Sequence, residues 1–224
     1  MKRLPIIAAA LLALAGCGRE DSVVMAERSS NDSICSVNIS YPVFSSNSAS
    51  VNSRFATLNE AIETYIDTLS SNVTAQAAEM MTDLQESPMG RPEWNCELSV
   101  ESTAFLSEGT ASVLFTAYTY LGGAHGMTEY TAVNFDVRSG KILADEQLLD
   151  YTKADKINEL LKSRFENPEN CFWEEPSLEK ASAIVLEEGA VKFIYEQYVL
   201  GPYSCGAAEI TIPAAELEGL LLVK

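Results

Sequence analysis

Between residues 55 and 84 apolar side chains recur at steps of three and four. Phe55, Leu58, Ile62, Ile66, Leu69, Val73, Ala77, Met80 and Leu84 fall on one stripe of a helix. Asn52 or Ser53 can cap its start, and Pro88 lies beyond its end. Roughly thirty residues rising 1.5 Å each span about 45 Å. The methionine and aromatic side chains on the stripe read as core rather than as a ligand site.

The remainder reads mostly as strand. Ile34 to Phe44 is rich in β-formers, and from Trp94 the apolar pattern changes to period two. Strands are expected over Cys96–Leu106, Ala111–Tyr120 and Met127–Val137, with a tight turn at Arg138–Lys141. Asp145–Asp150 and Thr152–Phe165 return to helix, with Ile157, Leu160, Leu161 and Phe165 on the apolar face. A hairpin follows, Ala183–Leu186 with Val191–Val199, then a last strand, Ala208–Ile212, and a short terminal helix, Ala214–Leu221. The expected fold class is α+β. A mostly antiparallel sheet packs against one long N-terminal helix and a second, shorter helix.

The first 17 residues, MKRLPIIAAALLALAGC, open with Lys2 and Arg3 and continue in a short apolar stretch, Leu4–Ala15. The stretch is too short to span a bilayer as a mature helix. Its end, Leu14-Ala15-Gly16-Cys17, resembles the lipobox of bacterial lipoproteins, in which cleavage leaves the cysteine first and lipid is attached to it. That resemblance implies a leader over residues 1–17, a lipidated Cys17 and a firm membrane anchor. It places the chain in the cell envelope, on the outer membrane facing the periplasm if the cell is Gram-negative. Residues 18–33 lack apolar periodicity and read as a flexible tether. Two further parts are expected, 34–110 and 111–224, forming one compact unit.

The formal charge is −17. Without Lys2 and Arg3 it becomes −19, from 13 basic and 32 acidic residues. Such a surface disfavours nucleic acid, whose phosphates need basic contacts. It serves solubility, or attraction to a basic partner. Four cysteines remain beyond Cys17: Cys35, Cys96, Cys171 and Cys205. An even count in an exported chain indicates two disulfides, and the wide spacing without CxxC argues against zinc. Three pairings are open. Cys35–Cys96 and Cys171–Cys205 join the segments expected to be neighbours.

Two glycine-rich loops follow strands. Gly122, Gly123, His125 and Gly126 lie in the first, which holds the one histidine of the chain; Gly201, Tyr203 and Gly206 lie in the second. If the strands are neighbours, the loops share one binding edge. GGAHG, then NFDVRSGKIL, then LGPYSCGAAEITIP resembles an extracytoplasmic domain family of uncharacterised activity. Its relatives include the C-terminal domain of the anti-sigma factor RsiV, which senses lysozyme, and the non-catalytic part of the peptidoglycan deacetylase PdaC. The likeness covers residues 35–224. It implies a binding domain for a basic, lysozyme-like protein or a peptidoglycan fragment, with no cofactor. RsiV-type proteins carry a membrane span and a sigma-binding segment that are missing here, so sigma-factor control does not carry over. The deacetylase chemistry of PdaC resides in a separate metal-binding domain, which one histidine does not rebuild.

A rival reading is an envelope hydrolase with Ser204 as nucleophile, His125 as base and Glu129 or Asp136 as acid. No GxSxG elbow supports it, and nothing in the spacing selects either acid. A third reading is a structural lipoprotein without a specific ligand. The reading adopted assigns no catalytic and no metal residues, and gives His125 the role of holding loops together through a hydrogen bond.

Overall fold

The computed structural model describes residues 9–16, 19–85, 95–107 and 109–223. Cys17, the first eight residues of the expected leader, Pro88 and Trp94 lie outside them. Seven strands form one sheet: β1 (Ala9–Gly16), β2 (Arg19–Asn31), β3 (Cys35–Ser46), β4 (Cys96–Leu106), β5 (Thr110–Tyr120), β6 (Met127–Asp136) and β7 (Lys141–Leu143), side by side in that order. Three more form a second sheet in the order β10 (Ala208–Pro213), β9 (Ala190–Tyr195), β8 (Ala183–Glu187). The helices are α1 (Ala49–Gln85), the short α2 (Asp145–Leu148) and α3 (Ala154–Arg164). The α+β class holds, with a mostly antiparallel sheet, one long helix and a shorter one. None of the described helices is long and apolar enough to cross a membrane.

The chain divides into two compact units: Met1–Thr103 with Phe115–Glu129, and Ala104–Leu114 with Tyr130–Lys224. This replaces the expected boundary at residues 110 and 111. A cut there would separate β4 from β5, which are neighbours in one sheet. Instead β4, β5 and β6 each run from one unit into the other.

In the first unit, α1 covers β3. Val51, Phe55, Leu58, Ile62, Ile66, Val73, Ala77 and Met81 are its buried residues. The stripe matches the expected one at Phe55, Leu58, Ile62, Ile66, Val73 and Ala77; Leu69 is only half-buried, and Met81 rather than Met80 turns inward, four residues beyond Ala77. The helix begins at Ala49, earlier than expected, and its first bond runs from the Asn52 amide to the Ser48 carbonyl. Asn52 accepts the Ser46 amide instead of capping. The parallel pairing of β3 with β4 starts at Cys35↔Cys96 and ends at Ile39↔Val100. Beyond that, the side chain of Asn59 on α1 takes both backbone groups of Phe44, accepting from its amide and donating to its carbonyl, each at 2.9 Å.

The tether expected over residues 18–33 is instead strand β2, from Arg19 on. It runs antiparallel to β3 from Asp21↔Ser46 to Asn31↔Ser36 and buries Val23 and Ala26. Arg28 fastens it further. Its guanidinium donates to the Tyr41 hydroxyl at 3.1 Å, stacks 5.0 Å from the centre of that ring, and pairs with Asp67 of α1 at 2.5 Å. These partners are remote in sequence, which is why local periodicity does not reveal the strand. The apolar segment Ala9–Gly16, read above as part of a leader, lies as β1 along β2, from Ala9↔Met25 to Gly16↔Arg19.

In the second unit, β8 and β9 form a hairpin closed between Glu187 and Ala190, with Gly189 at φ 71°. α3 buries Ile157 and Leu161 in a core with Leu148, Leu149, Phe193, Tyr195 and Ile210. Asp150 starts the turn before α3, accepting the Thr152 amide at 3.1 Å. The expected terminal helix is a single 3-10 turn, Ala214–Leu217.

Candidate functional site

The first glycine loop joins β5 to β6. Gly122 and Gly123 have φ of 108° and 92°, backbone that an L side chain rarely adopts. Gly126 fits its place for a different reason. A Cβ there would come within 2.5 Å of the Tyr118 ring, which lies over the loop backbone. The Tyr120 hydroxyl donates to the Gly123 carbonyl at 3.0 Å. His125 sits 3.0 Å, through Nδ1, from the carbonyl of Gly126. A carbonyl only accepts, so Nδ1 carries the proton.

The second loop, Gly201–Gly206, belongs to the other unit. It is tied by the disulfide Cys171–Cys205, with Cα atoms 5.8 Å apart. Cys35–Cys96, at 4.3 Å, bridges the first paired residues of β3 and β4. Both disulfides have the expected partners. At Gly201 the backbone passes so close to the Cys171–Phe172 segment that a Cβ would lie 3.1 Å from the Phe172 ring. The amides of Trp173 and Glu174 both donate to the Leu200 carbonyl at 3.0 Å. Asn167 clasps Phe172 from the other side, donating to its carbonyl at 2.7 Å and accepting from its amide at 3.0 Å. Gly206 closes the loop at φ 74°.

Around this second loop stand aromatic residues that the sequence reading did not single out. Trp173 is 73% exposed and Tyr198 58% exposed, and the Tyr198 and Tyr203 rings lie 5.8 Å apart. Glu169, Asn170 and Tyr198 hold left-handed backbone without being glycine. Residues in such conformations cost of order 1–3 kcal/mol and persist only where their surroundings fix them. The available signal was the pair of aromatic residues, Phe172 and Trp173, directly after a disulfide cysteine.

The residues of the rival triad take other roles. Asp136 ends β6 and organises the turn to β7, accepting the Arg138 amide at 2.8 Å. The hydrogen bond from the Ser139 side chain is the foremost reason its carboxyl lies below the usual range. Ser204 is exposed on a one-turn 3-10 segment, Tyr203–Cys205, rather than on a strand-to-helix elbow. Among the described residues, no group of three or more His, Cys, Asp and Glu side chains is arranged to hold a metal ion.

Thus Gly122, Gly123, His125 and Gly126 come together in one unit, and Gly201, Tyr203 and Gly206 in the other. Comparison with known proteins divides the chain along its sequence. Residues 28–128 match the family model described as deacetylase PdaC, and residues 140–215 match the family described as a protein of unknown function, DUF3298. The two matches follow one another along the chain, the first on its N-terminal half and the second on its C-terminal half. Two crystal structures of DUF3298 family proteins share the fold. BF2082 from Bacteroides fragilis NCTC 9343 superposes with a TM-score of 0.58 at 17% identity, over 91% of this chain and 94% of its own. PA4972 from Pseudomonas aeruginosa PAO1 gives 0.55 at 20% identity, over 97% and 94%. No curated protein matches the chain.

Proposed function

We propose that the chain is a lipid-anchored envelope protein whose domain binds its ligand without turning it over, the ligand being a basic, lysozyme-like protein or a peptidoglycan fragment. The observation that carries this reading is the bond from His125 Nδ1 to the Gly126 carbonyl. A hydrolytic triad aims that nitrogen at its orienting carboxylate. Here it fastens the loop to itself, which supports a structural role for the histidine. Exposed Trp173 and Tyr198 beside the second loop support recognition by stacking on sugar rings or on cationic side chains. The formal charge of −17 supports a basic partner, steered at long range and lost to screening as salt rises.

Surface plasmon resonance of the chain against lysozymes of differing net charge, at several salt concentrations, tests this. The expected result is an association rate that falls with salt and rises with lysozyme charge, with no peptidoglycan turnover by wild type. Turnover that disappears in His125→Ala while the circular dichroism is unchanged would establish the hydrolase instead.

A further inference from the structure

We propose that the end of β3, the turn to α1 and the first residues of α1, residues 45–54, lie together against the headgroup layer of the bilayer that holds the lipid anchor. The proposal rests on the lipidation of Cys17 put forward above. β2 begins at Arg19, two residues past that cysteine. Two extended residues reach about 7 Å at most. The anchor therefore leads directly into a strand, and the strand is not free to swing. It is laddered to β3 from Asp21↔Ser46 onward. Ahead of that pair, the Asn47 amide donates to the Glu20 carbonyl and the Glu20 amide to the Asn47 side chain, each at 3.1 Å. The turn is thus fixed at the end of β2 nearest the anchor.

Charge supplies a second, independent observation. Acidic residues number 32 in 224, yet none occurs from Ser33 to Asn59, the stretch that includes this turn. Asp21 is buried, and its carboxylate accepts the Ser46 hydroxyl at 2.7 Å. Glu20 is exposed and follows Arg19 directly. Repulsion between carboxylates and anionic headgroups acts within about one screening length, ~8 Å, the same scale as the reach of the anchor. In a strongly acidic chain, the acid-free surface is the one that tolerates such closeness. Serine and asparagine fill it: Ser45, Ser46, Asn47, Ser48, Ser50 and Asn52. The opposite end of β2, at Asn31, stands about 40 Å away along the strand.

The experiment uses the lipidated full chain in vesicles of mixed anionic and zwitterionic phospholipid carrying headgroup nitroxides. Single cysteines are introduced as Ala49→Cys, Ser50→Cys and Asn31→Cys, all at exposed positions, and labelled with a fluorophore. The native cysteines 35, 96, 171 and 205 are held in disulfides and do not react. Mass spectrometry of the N-terminal peptide accompanies each sample. The expected result is several-fold stronger quenching at residues 49 and 50 than at 31. Equal quenching at both ends, with lipid present on Cys17, overturns this proposal alone. An unlipidated Cys17 overturns the anchor and this proposal together.

Discussion

The side chain of Asn134 donates to the carbonyl of Ile184 at 2.7 Å, across the gap between β6 and β8. Its carbonyl oxygen accepts the amide of Leu186 at 3.0 Å. The amide group thus does for β8 what another strand would do, at a site only 2% exposed. Removing it leaves a buried donor and a buried acceptor unpaired, at about 1–3 kcal/mol each. Asn134→Ala is expected to destabilise by about 2–4 kcal/mol. Urea unfolding should show a lower midpoint at unchanged slope.

Residues 19–31 decide between a tether and a structural strand. A chain that begins at Asn31 loses the β2 ladder, the buried Val23 and Ala26, and the Arg28 contacts with Tyr41 and Asp67. The edge of β3 is then bare, which invites aggregation. A chain that begins at Arg19 lacks β1 but keeps β2, whose charged residues Glu20, Glu27 and Arg28 guard that edge, and is expected to stay monomeric and to unfold cooperatively, while the shorter one aggregates or melts many degrees lower. Size-exclusion chromatography and thermal melts compare the two directly.

Gly126 and Tyr118 should be coupled. Gly126→Ala drives a methyl into the tyrosine ring, and overpacking of this kind costs about 1–3 kcal/mol. In a Tyr118→Ala background the same change has room, so most of that cost should vanish. A double-mutant cycle that returns additive effects would show the ring is not the obstacle. Gly123→Ala is the control. Its Cβ would meet nothing within 4 Å, and only the positive φ opposes it.

The turn at Asp136 carries a pH signature. The Ser139 side chain foremost, with backbone amides and Arg138, holds the Asp136 carboxyl below its ordinary range against the opposing effect of burial. A carboxyl depressed in the folded state adds stability above its unfolded value of about 3.9, and that contribution is lost as pH falls through the folded value. Ser139→Ala should therefore destabilise at pH near 7 and approach wild type in strong acid. Denaturation curves at the two pH values measure the difference; a gap that widens in acid would contradict the assignment.

Much of this was legible in the chain itself. The stripe from Phe55 to Ala77 determines α1 because local periodicity and packing agree there, and Cys35 and Cys96 sit at the paired starts of β3 and β4 as the pairing requires. β2 was not legible. Its residues alternate poorly, and its stability comes from partners such as Tyr41 and Asp67, remote along the chain. Asn59, Asn134 and Asn167 each complete a backbone pair on another segment, yet in sequence they look like any other asparagine. The exposed Trp173 escaped notice because exposure is set by the fold, while composition alone places tryptophan inside.

The Cys35–Cys96 bridge closes a covalent ring around the whole of α1, Ala49–Gln85. A peptide bond cut anywhere within that ring leaves both pieces joined through sulfur, still bearing the buried side chains that hold α1 on β3. Wherever proteases meet the protein, a single nick would then change its mobility on a reducing gel long before it separated the polypeptide into two molecules.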